Sequence, residues 1–196
     1  MHLENCHFSV SWQESGWQSL LVPCCLSADP HFFSVFGLED SDWSPVLLDL
    51  SHDPETDYFL PLVAKVDALP LGLLFAYPLS TVFSKQLHSL KSIISFLSIS
   101  ASVRTSISSL SSAKATLSTA DSLYLSRLYV HPSARGKGLG KLLLQAYERY
   151  ARDRQHQALA LHVRAENKIA QELYLSLGFS FVGCESAKYL GMEKLL

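Results

Sequence analysis

The twelve residues from Val130 to Lys141, V-H-P-S-A-R-G-K-G-L-G-K, constrain this chain more than any other stretch. An apolar and aromatic run, Leu123 to Val130, leads into them. A long amphipathic run, Leu139 to about Arg154, leads out. Between the two lie Gly136, Gly138 and Gly140, interleaved with Arg135, Lys137 and Lys141. The local grammar is strand, glycine-rich basic turn, helix. Backbone N–H groups at a helix start, with no side chains in the way, form a cradle for phosphate.

Several kinds of loop cradle phosphate, and spacing separates them. A Walker loop needs Gly, four residues, then Gly-Lys-Ser/Thr. Here Gly140-Lys141 is followed by Leu142, and the residue five before Gly140 is Arg135. The hydroxyl that would hold magnesium is missing, so that class is excluded. A dinucleotide fingerprint needs Gly-x-Gly-x-x-Gly closing directly from strand to helix. This chain has Gly-x-Gly-x-Gly, with His131 to Arg135 intervening, which disfavours it.

What remains is Arg-Gly-x-Gly-x-Gly after a strand ending Val-His-Pro. It resembles the Gcn5-related N-acetyltransferase (GNAT) superfamily, whose signature is Arg/Gln-x-x-Gly-x-Gly/Ala; Arg135, Gly138 and Gly140 match it. The match continues through Asn167, Ala170 and L-Y-L-S-L-G-F at 173–179, which is similar to that family's second conserved block. The resemblance runs over about residues 58–196 and is strongest from Leu123 to Phe181. Residues 1–57 are compatible with the family's variable first helices, and 84–118 form an insertion relative to the minimal fold.

The resemblance implies an α/β fold with a mixed central sheet flanked by helices and splayed open at the strand ending in Val130. It implies acetyl-CoA as co-substrate, no metal, and an amine acceptor. The pantetheine arm would pair with the backbone of Leu128, Tyr129 and Val130, where a bulge turns those groups outward. The pyrophosphate would land on the amides of Arg135, Gly136, Lys137, Gly138, Leu139, Gly140 and Lys141. The side chain of Asn167 would also touch the cofactor. The backbone N–H of Val130 would polarise the thioester carbonyl. Tyr174, in Leu-Tyr-x-x-x-Gly-Phe, matches the family tyrosine that acts as general acid to the departing thiolate. Some members carry a glutamate base about where Tyr124 stands. This chain has Tyr124, Ser126 and Arg127 there and no carboxylate, so either a water chain serves or a group from elsewhere does, with Asp121, Glu166, His162 and His131 as candidate bases. A non-catalytic CoA-binding sensor and an acyltransferase using a longer acyl-CoA are the alternative readings.

The residues also carry readings that need no family. One domain, 1–196, is expected from the length, which the resemblance makes a single N-acetyltransferase domain, and 48% hydrophobic against 17% charged residues indicate a folded chain. The net charge of −2 gives no field for nucleic acid, so none is expected as a partner. The four cysteines make no Cys-x-x-Cys pair, as in reduced cytoplasmic proteins. No run approaches the roughly 20 apolar residues of a membrane span, and no signal peptide is evident. The expectation is a cytoplasmic monomer or homodimer without membrane contact.

Along the chain, Cys6 to Trp12 reads as a first strand. Pro23 and Pro30 break Trp17 to Phe36 into short helical pieces, and Asp42 to Leu50 reads as another short helix. Tyr58 to Lys65 and Leu71 to Tyr77 read as a hairpin turning at Asp67 to Pro70. His52, Asp53 and Glu55 lie around Pro54 without partner ligands at metal spacing, which favours a loop. In the serine-rich 84–118 stretch, Leu87, Leu90, Ile93, Ile94 and Leu97 share one helical face, and Val103, Ile107 and Leu110 make a second stripe. One or two helices with serine on the wet side are expected, and with residues 1–57 they are where substrate shape would be set. Leu139, Leu142, Leu143, Ala146, Tyr150 and Ala151 line a later helix, and Ala158 to Val163 is a buried-type strand. Asn167 reads as an N-cap and Gly178 as the C′ glycine of the last helix. Phe179 to Cys184 and Lys188 to Leu195 read as terminal strands.

Overall fold

The computed structural model describes residues 8–12, 16–28, 30–34, 36, 38–97, 121–184 and 188–196. Cys6, the Val103–Ile107–Leu110 stripe and the 185–187 connection lie outside the described residues. The strands are β1 (Phe8–Trp12), β2 (Leu62–Val66), β3 (Leu69–Pro78), β4 (Ser122–Val130), β5 (Ala158–Arg164), β6 (Ser180–Cys184) and β7 (Tyr189–Leu195). The helices are α1 (Leu21–Ala28), α2 (Pro30–Ser34), α3 (Asp40–His52), α4 (Val82–Phe96), α5 (Leu139–Asp153) and α6 (Lys168–Ser176). The seven strands form one mixed sheet in the order β1-β2-β3-β4-β5-β7-β6, an α/β architecture as expected. The chain divides into two compact units, Met1–Phe75 with Arg127–Tyr147, and Ala76–Ser126 with Glu148–Leu196.

In the first unit the hairpin forms as read, by unusual means. Val66 pairs with Leu69, so the turn is the dipeptide Asp67-Ala68, with φ of 50° and 68°. Two consecutive left-handed residues define the type I′ turn whose twist suits a hairpin, here without glycine. The first hairpin strand starts at Leu62 rather than Tyr58. Leu60 has φ 51° and Pro61 follows it, so the extended run is broken before the ladder begins. Pro23 does not break α1; it falls in the first turn, where a missing N–H costs no helix bond, while Pro30 opens α2. Asp42 closes the start of α3 by accepting the Glu39 amide at 3.1 Å. At the far end Asp53 Oδ1 accepts from the Glu55 amide at 2.9 Å, a local turn. Among the described residues no group of three His, Cys, Asp or Glu side chains could hold a metal ion.

This unit's core is aromatic. Phe33 meets Trp43 edge-on at 4.8 Å and Trp17 meets Phe75 at 5.7 Å. Cys24 and Cys25 are free thiols in the same interior. Burial, and a hydrogen bond with Cys24, push the Cys25 thiol well above its ordinary value, so it is inert as a nucleophile. Gly72 lies where α5 packs closely: a Cβ there would be 2.9 Å from Leu143 Cδ1 and 3.4 Å from the Tyr129 carbonyl.

In the second unit α4 carries the stripe read from Leu87 to Leu97, with Leu90, Ile93 and Ile94 buried. Ser89 is buried as well, so serine is not confined to the wet side. β4 and β5 pair in parallel from Ser122↔Ala158 to Leu125↔Leu161, and β5 pairs antiparallel with β7 along its length. The α6 ends are as expected: Asn167 Oδ1 accepts the Ala170 amide at 3.1 Å, and Gly178 has φ 89°. Among the described residues no helix is long and apolar enough to cross a membrane.

The buried side of α5 is displaced from the stripe read in sequence. Leu139, Leu143, Leu144, Tyr147 and Ala151 are buried, whereas Leu142, Ala146 and Tyr150 are only half-buried.

Candidate functional site

The glycine loop belongs to the first unit. β4 ends at Val130, and the His131 amide donates to the Leu71 carbonyl at 2.8 Å, anchoring the strand end to β3. A single 3-10 turn follows at Pro132–Ala134, started by proline and closed by Ala134 N–H to His131 O at 2.9 Å. His131 stays in this turn: its Nδ1 lies 2.8 Å from Ser133 Oγ and accepts the Ser133 amide at 3.3 Å.

Gly136 and Gly138 then take φ of 72° and 82°, conformations that L side chains rarely adopt. A Cβ on either would meet nothing within 4 Å, so their requirement is backbone shape, not space. Gly140 is different. It sits in the first turn of α5. The first helical bond runs from the Leu142 amide to the Gly138 carbonyl at 3.1 Å. The amides of Leu139, Gly140 and Lys141 therefore precede any intrahelical acceptor, as at every helix start. Together with the helix dipole they form an electropositive end suited to an anion.

The basic side chains divide their work. Arg135 Nε donates to the Val130 carbonyl at 3.1 Å, and Lys137 Nζ donates to the Ser133 carbonyl at 2.7 Å. Both brace the loop's own backbone. Lys141 is exposed at the helix start. Burial pushes the Tyr129 phenol up, against the opposing pull of the Arg135 guanidinium.

Behind the strand lies a contact that sequence inspection did not link. Arg127 reaches Asp57 Oδ2 at 2.8 Å and the Asp57 carbonyl at 3.2 Å, and its guanidinium stacks 4.2 Å over Tyr58. It ties the segment after α3 to β4. The partners are 70 residues apart, so no local pattern shows the pair.

The second unit holds Tyr174 and Asn167. Tyr174 is buried on α6, its ring 5.7 Å from Phe179. Burial raises its phenol far above the ordinary value, so the group is protonated across the working pH range. Gln171, not singled out in the sequence, is buried and donates to the carbonyls of Arg164 and Ala165 at 3.0 Å each. It pins α6 to the end of β5. A polar residue one turn after Asn167 on a largely buried face was the available signal. Of the remaining candidate bases, Asp121 lies 3.1 Å from His156 and Glu166 lies 3.1 Å from Arg164. His162 Nδ1 lies 3.0 Å from Tyr124 Oη.

Known proteins are similar to this chain in sequence over part of its length and in fold over most of it. The model of the Acetyltransferase (GNAT) family matches residues 92–179. The streptothricin acetyltransferase of Streptomyces lavendulae is 38% identical over 69 residues, 35% of this chain and 36% of that protein. The uncharacterized N-acetyltransferase YdgE of Bacillus subtilis (strain 168) is 38% identical over 61 residues, 31% of this chain and 39% of that one. The match thus spans little more than a third of either relative. In three dimensions the chain is similar to an acetyltransferase crystal structure with a TM-score of 0.72 at 18% identity, covering 95% of this chain and 98% of that one. An aminoglycoside N-acetyltransferase in complex with CoA shares the fold at a TM-score of 0.56 and 14% identity, over 94% and 95% of the two chains.

Proposed function

We propose that this chain, whose residues 92–179 match the model of the Acetyltransferase (GNAT) family, transfers an acetyl group from acetyl-CoA to a primary amine of a small molecule or peptide. The observation that carries the donor half is the loop between β4 and α5. Gly136 and Gly138, at φ of 72° and 82° with open space where side chains would stand, expose backbone amides to an incoming anion. This suits a pyrophosphate without magnesium, because amides and a helix end supply the positive potential.

In this reading the amides of Arg135 to Lys141 hold the pyrophosphate. Arg135 and Lys137 keep the loop in shape through their carbonyl contacts, and Lys141 adds charge. The backbone of Leu128, Tyr129 and Val130 pairs with the pantetheine arm; the β4–β5 register, taken over Ser122–Leu125 among the described residues, lies before these positions. The Val130 amide points its dipole at the thioester carbonyl, where negative charge grows as the amine attacks. Asn167 caps α6 with one side-chain oxygen lone pair and keeps its NH2 for the cofactor.

Tyr174 offers its O–H to the departing sulfur. Its raised pKa fits this role in one respect, since the phenol never ionises before the thiolate forms. A phenol is less acidic than a thiol, so its main contribution is a hydrogen bond that stabilises developing charge on sulfur. Holding amine and thioester together supplies much of the remaining acceleration.

A screen of labelled acetyl-CoA over amino acids, polyamines, aminoglycosides and peptide N-termini tests the reading. Label transferred to at least one amine class supports it. Tight acetyl-CoA binding with no transfer to any class refutes the transferase and leaves a CoA-binding sensor.

A further inference from the structure

Deprotonating the acceptor ammonium needs a base, and the side chains that sequence offers are not equivalent in the structure. His131 is bonded into its turn through Nδ1. The Asp121 side chain is 58% exposed and paired with His156, and that of Glu166 is 74% exposed and paired with Arg164. His162 is joined instead to a phenol, with its Nδ1 3.0 Å from Tyr124 Oη.

The register explains how that contact forms. Tyr124 on β4 stands opposite Ala160 on β5, and His162 is the next residue of β5 on the same face. Diagonal neighbours on parallel strands are too far apart for short side chains but within reach of rings. The methyl group of Ala160 leaves room for the phenol to lean across it. The two rings end 5.6 Å apart at their centroids. Tyr77 flanks Tyr124 at 5.8 Å, and Leu79 and Val82 cover the cluster from the start of α4. A phenol and an imidazole, 38 residues apart in sequence, thus share a hydrogen bond beside apolar neighbours.

We propose that Tyr124 and His162 form a proton relay for the acceptor amine. It rests on the transferase reading above. The Tyr124 oxygen takes a proton from the ammonium while its own hydroxyl proton passes to His162 Nδ1. One N–H bond of the ammonium breaks and an O–H bond forms; the old O–H bond breaks and an Nδ1–H bond forms. The amine becomes neutral and nucleophilic, and the imidazole becomes imidazolium. This requires the neutral His162 tautomer with its proton on Nε2, which makes Nδ1 the acceptor. Among the described residues, the other titratable groups near the pair are Tyr77 on β3, Glu193 on β7 opposite Ala160, and Arg164 two residues further along β5. Leu79 and Val82 contribute no charge.

Two measurements on the full chain test the relay. In the first, nitrogen NMR follows the His162 imidazole with pH in the wild type and in Tyr124→Phe, without any acceptor. Losing the donor to the neutral ring raises the imidazole midpoint in the variant; an unchanged midpoint overturns the relay. In the second, turnover is followed with pH on an amine found in the acetyl-CoA screen. The wild type gains activity as pH rises through the imidazole range. His162→Gln loses this acid limb and about a hundredfold in kcat, and Tyr124→Phe, which keeps the ring packing, loses a comparable amount. The dissociation constant for acetyl-CoA stays the same in both. A His162→Gln enzyme that keeps the wild-type acid limb sinks the relay alone. A wild type that binds acetyl-CoA yet acetylates no amine sinks the transferase reading and the relay with it.

Discussion

Replacing Gly138 by alanine separates backbone shape from every other property of the loop. At φ 82° a residue with a Cβ is strained, and the added methyl meets nothing within 4 Å. No clash enters, so the cost is conformational: about 1–2 kcal/mol for an L residue in the left-handed region. Alanine also restricts the unfolded chain, which returns about 0.4–1 kcal/mol. The net cost is about 1 kcal/mol, and the loop has two ways to carry it. If the loop keeps its shape, the free protein loses that stability and acetyl-CoA affinity is unchanged. If the free loop relaxes, stability is retained and binding must restore the strained shape, which weakens affinity by about fivefold. Urea unfolding of the free protein and calorimetric titration with acetyl-CoA read the two terms, whose sum is fixed near 1 kcal/mol. A Gly138→Ala protein with wild-type stability and wild-type affinity refutes the argument, because the strained backbone would then matter to neither state.

Other outcomes follow from other parts of the molecule. Asp57→Ala leaves the Arg127 guanidinium, whose side chain is only 14% exposed, without its carboxylate; a loss of about 3 kcal/mol in urea unfolding is expected. The double variant with Arg127→Ala recovers part of that loss, and strict additivity of the two would contradict a direct coupling. Burial raises the Glu148 pKa, but Lys194 at 2.7 Å and Arg152 at 2.9 Å outweigh it and the net shift is downward. A carboxyl whose folded pKa is depressed stabilises the fold above its unfolded pKa and loses that contribution as pH falls through the folded one. The stability gap between wild type and Glu148→Gln should therefore narrow between neutral pH and the acid range; a gap independent of pH would show the ion pairs to be inert. Tyr174→Phe removes only the hydroxyl, and steady-state kinetics should show kcat down by about a hundredfold with acetyl-CoA affinity unaltered. Equal turnover would remove Tyr174 from the chemistry.

Much of this molecule was legible because its signals are local. Glycine spacing located the loop, and Asn167 and Gly178 marked the ends of α6 by capping chemistry alone. Periodicity found α4 and α5, though it misjudged the buried face of α5 by setting Leu144 and Tyr147 aside. Turn chemistry was read less well. Asp67-Ala68 makes a type I′ turn without the usual glycine, and Leu60 turns left-handed before Pro61, so the hairpin began later than its apolar run suggested. The contacts that sequence could not supply are the distant ones. Asp57 with Arg127 and Tyr124 with His162 are joined across 70 and 38 residues, the second pair by strand register, and nothing in either neighbourhood advertises the partner. The basic loop residues were legible as charge, but the bracing of backbone by Arg135 and Lys137 needed coordinates.

Acetyl transfer as proposed requires the loop after β4 to hold the pyrophosphate of acetyl-CoA. Amide NMR spectra of the protein titrated with acetyl-CoA, and separately with acetyl-pantetheine, which lacks the pyrophosphate, test this most directly. Acetyl-CoA should move the amides of Gly136 to Lys141 together with those of Leu128 to Val130, and acetyl-pantetheine should move only the strand residues. If saturating acetyl-CoA leaves Gly136 to Lys141 unmoved, the loop is not the cradle and the donor assignment fails with it.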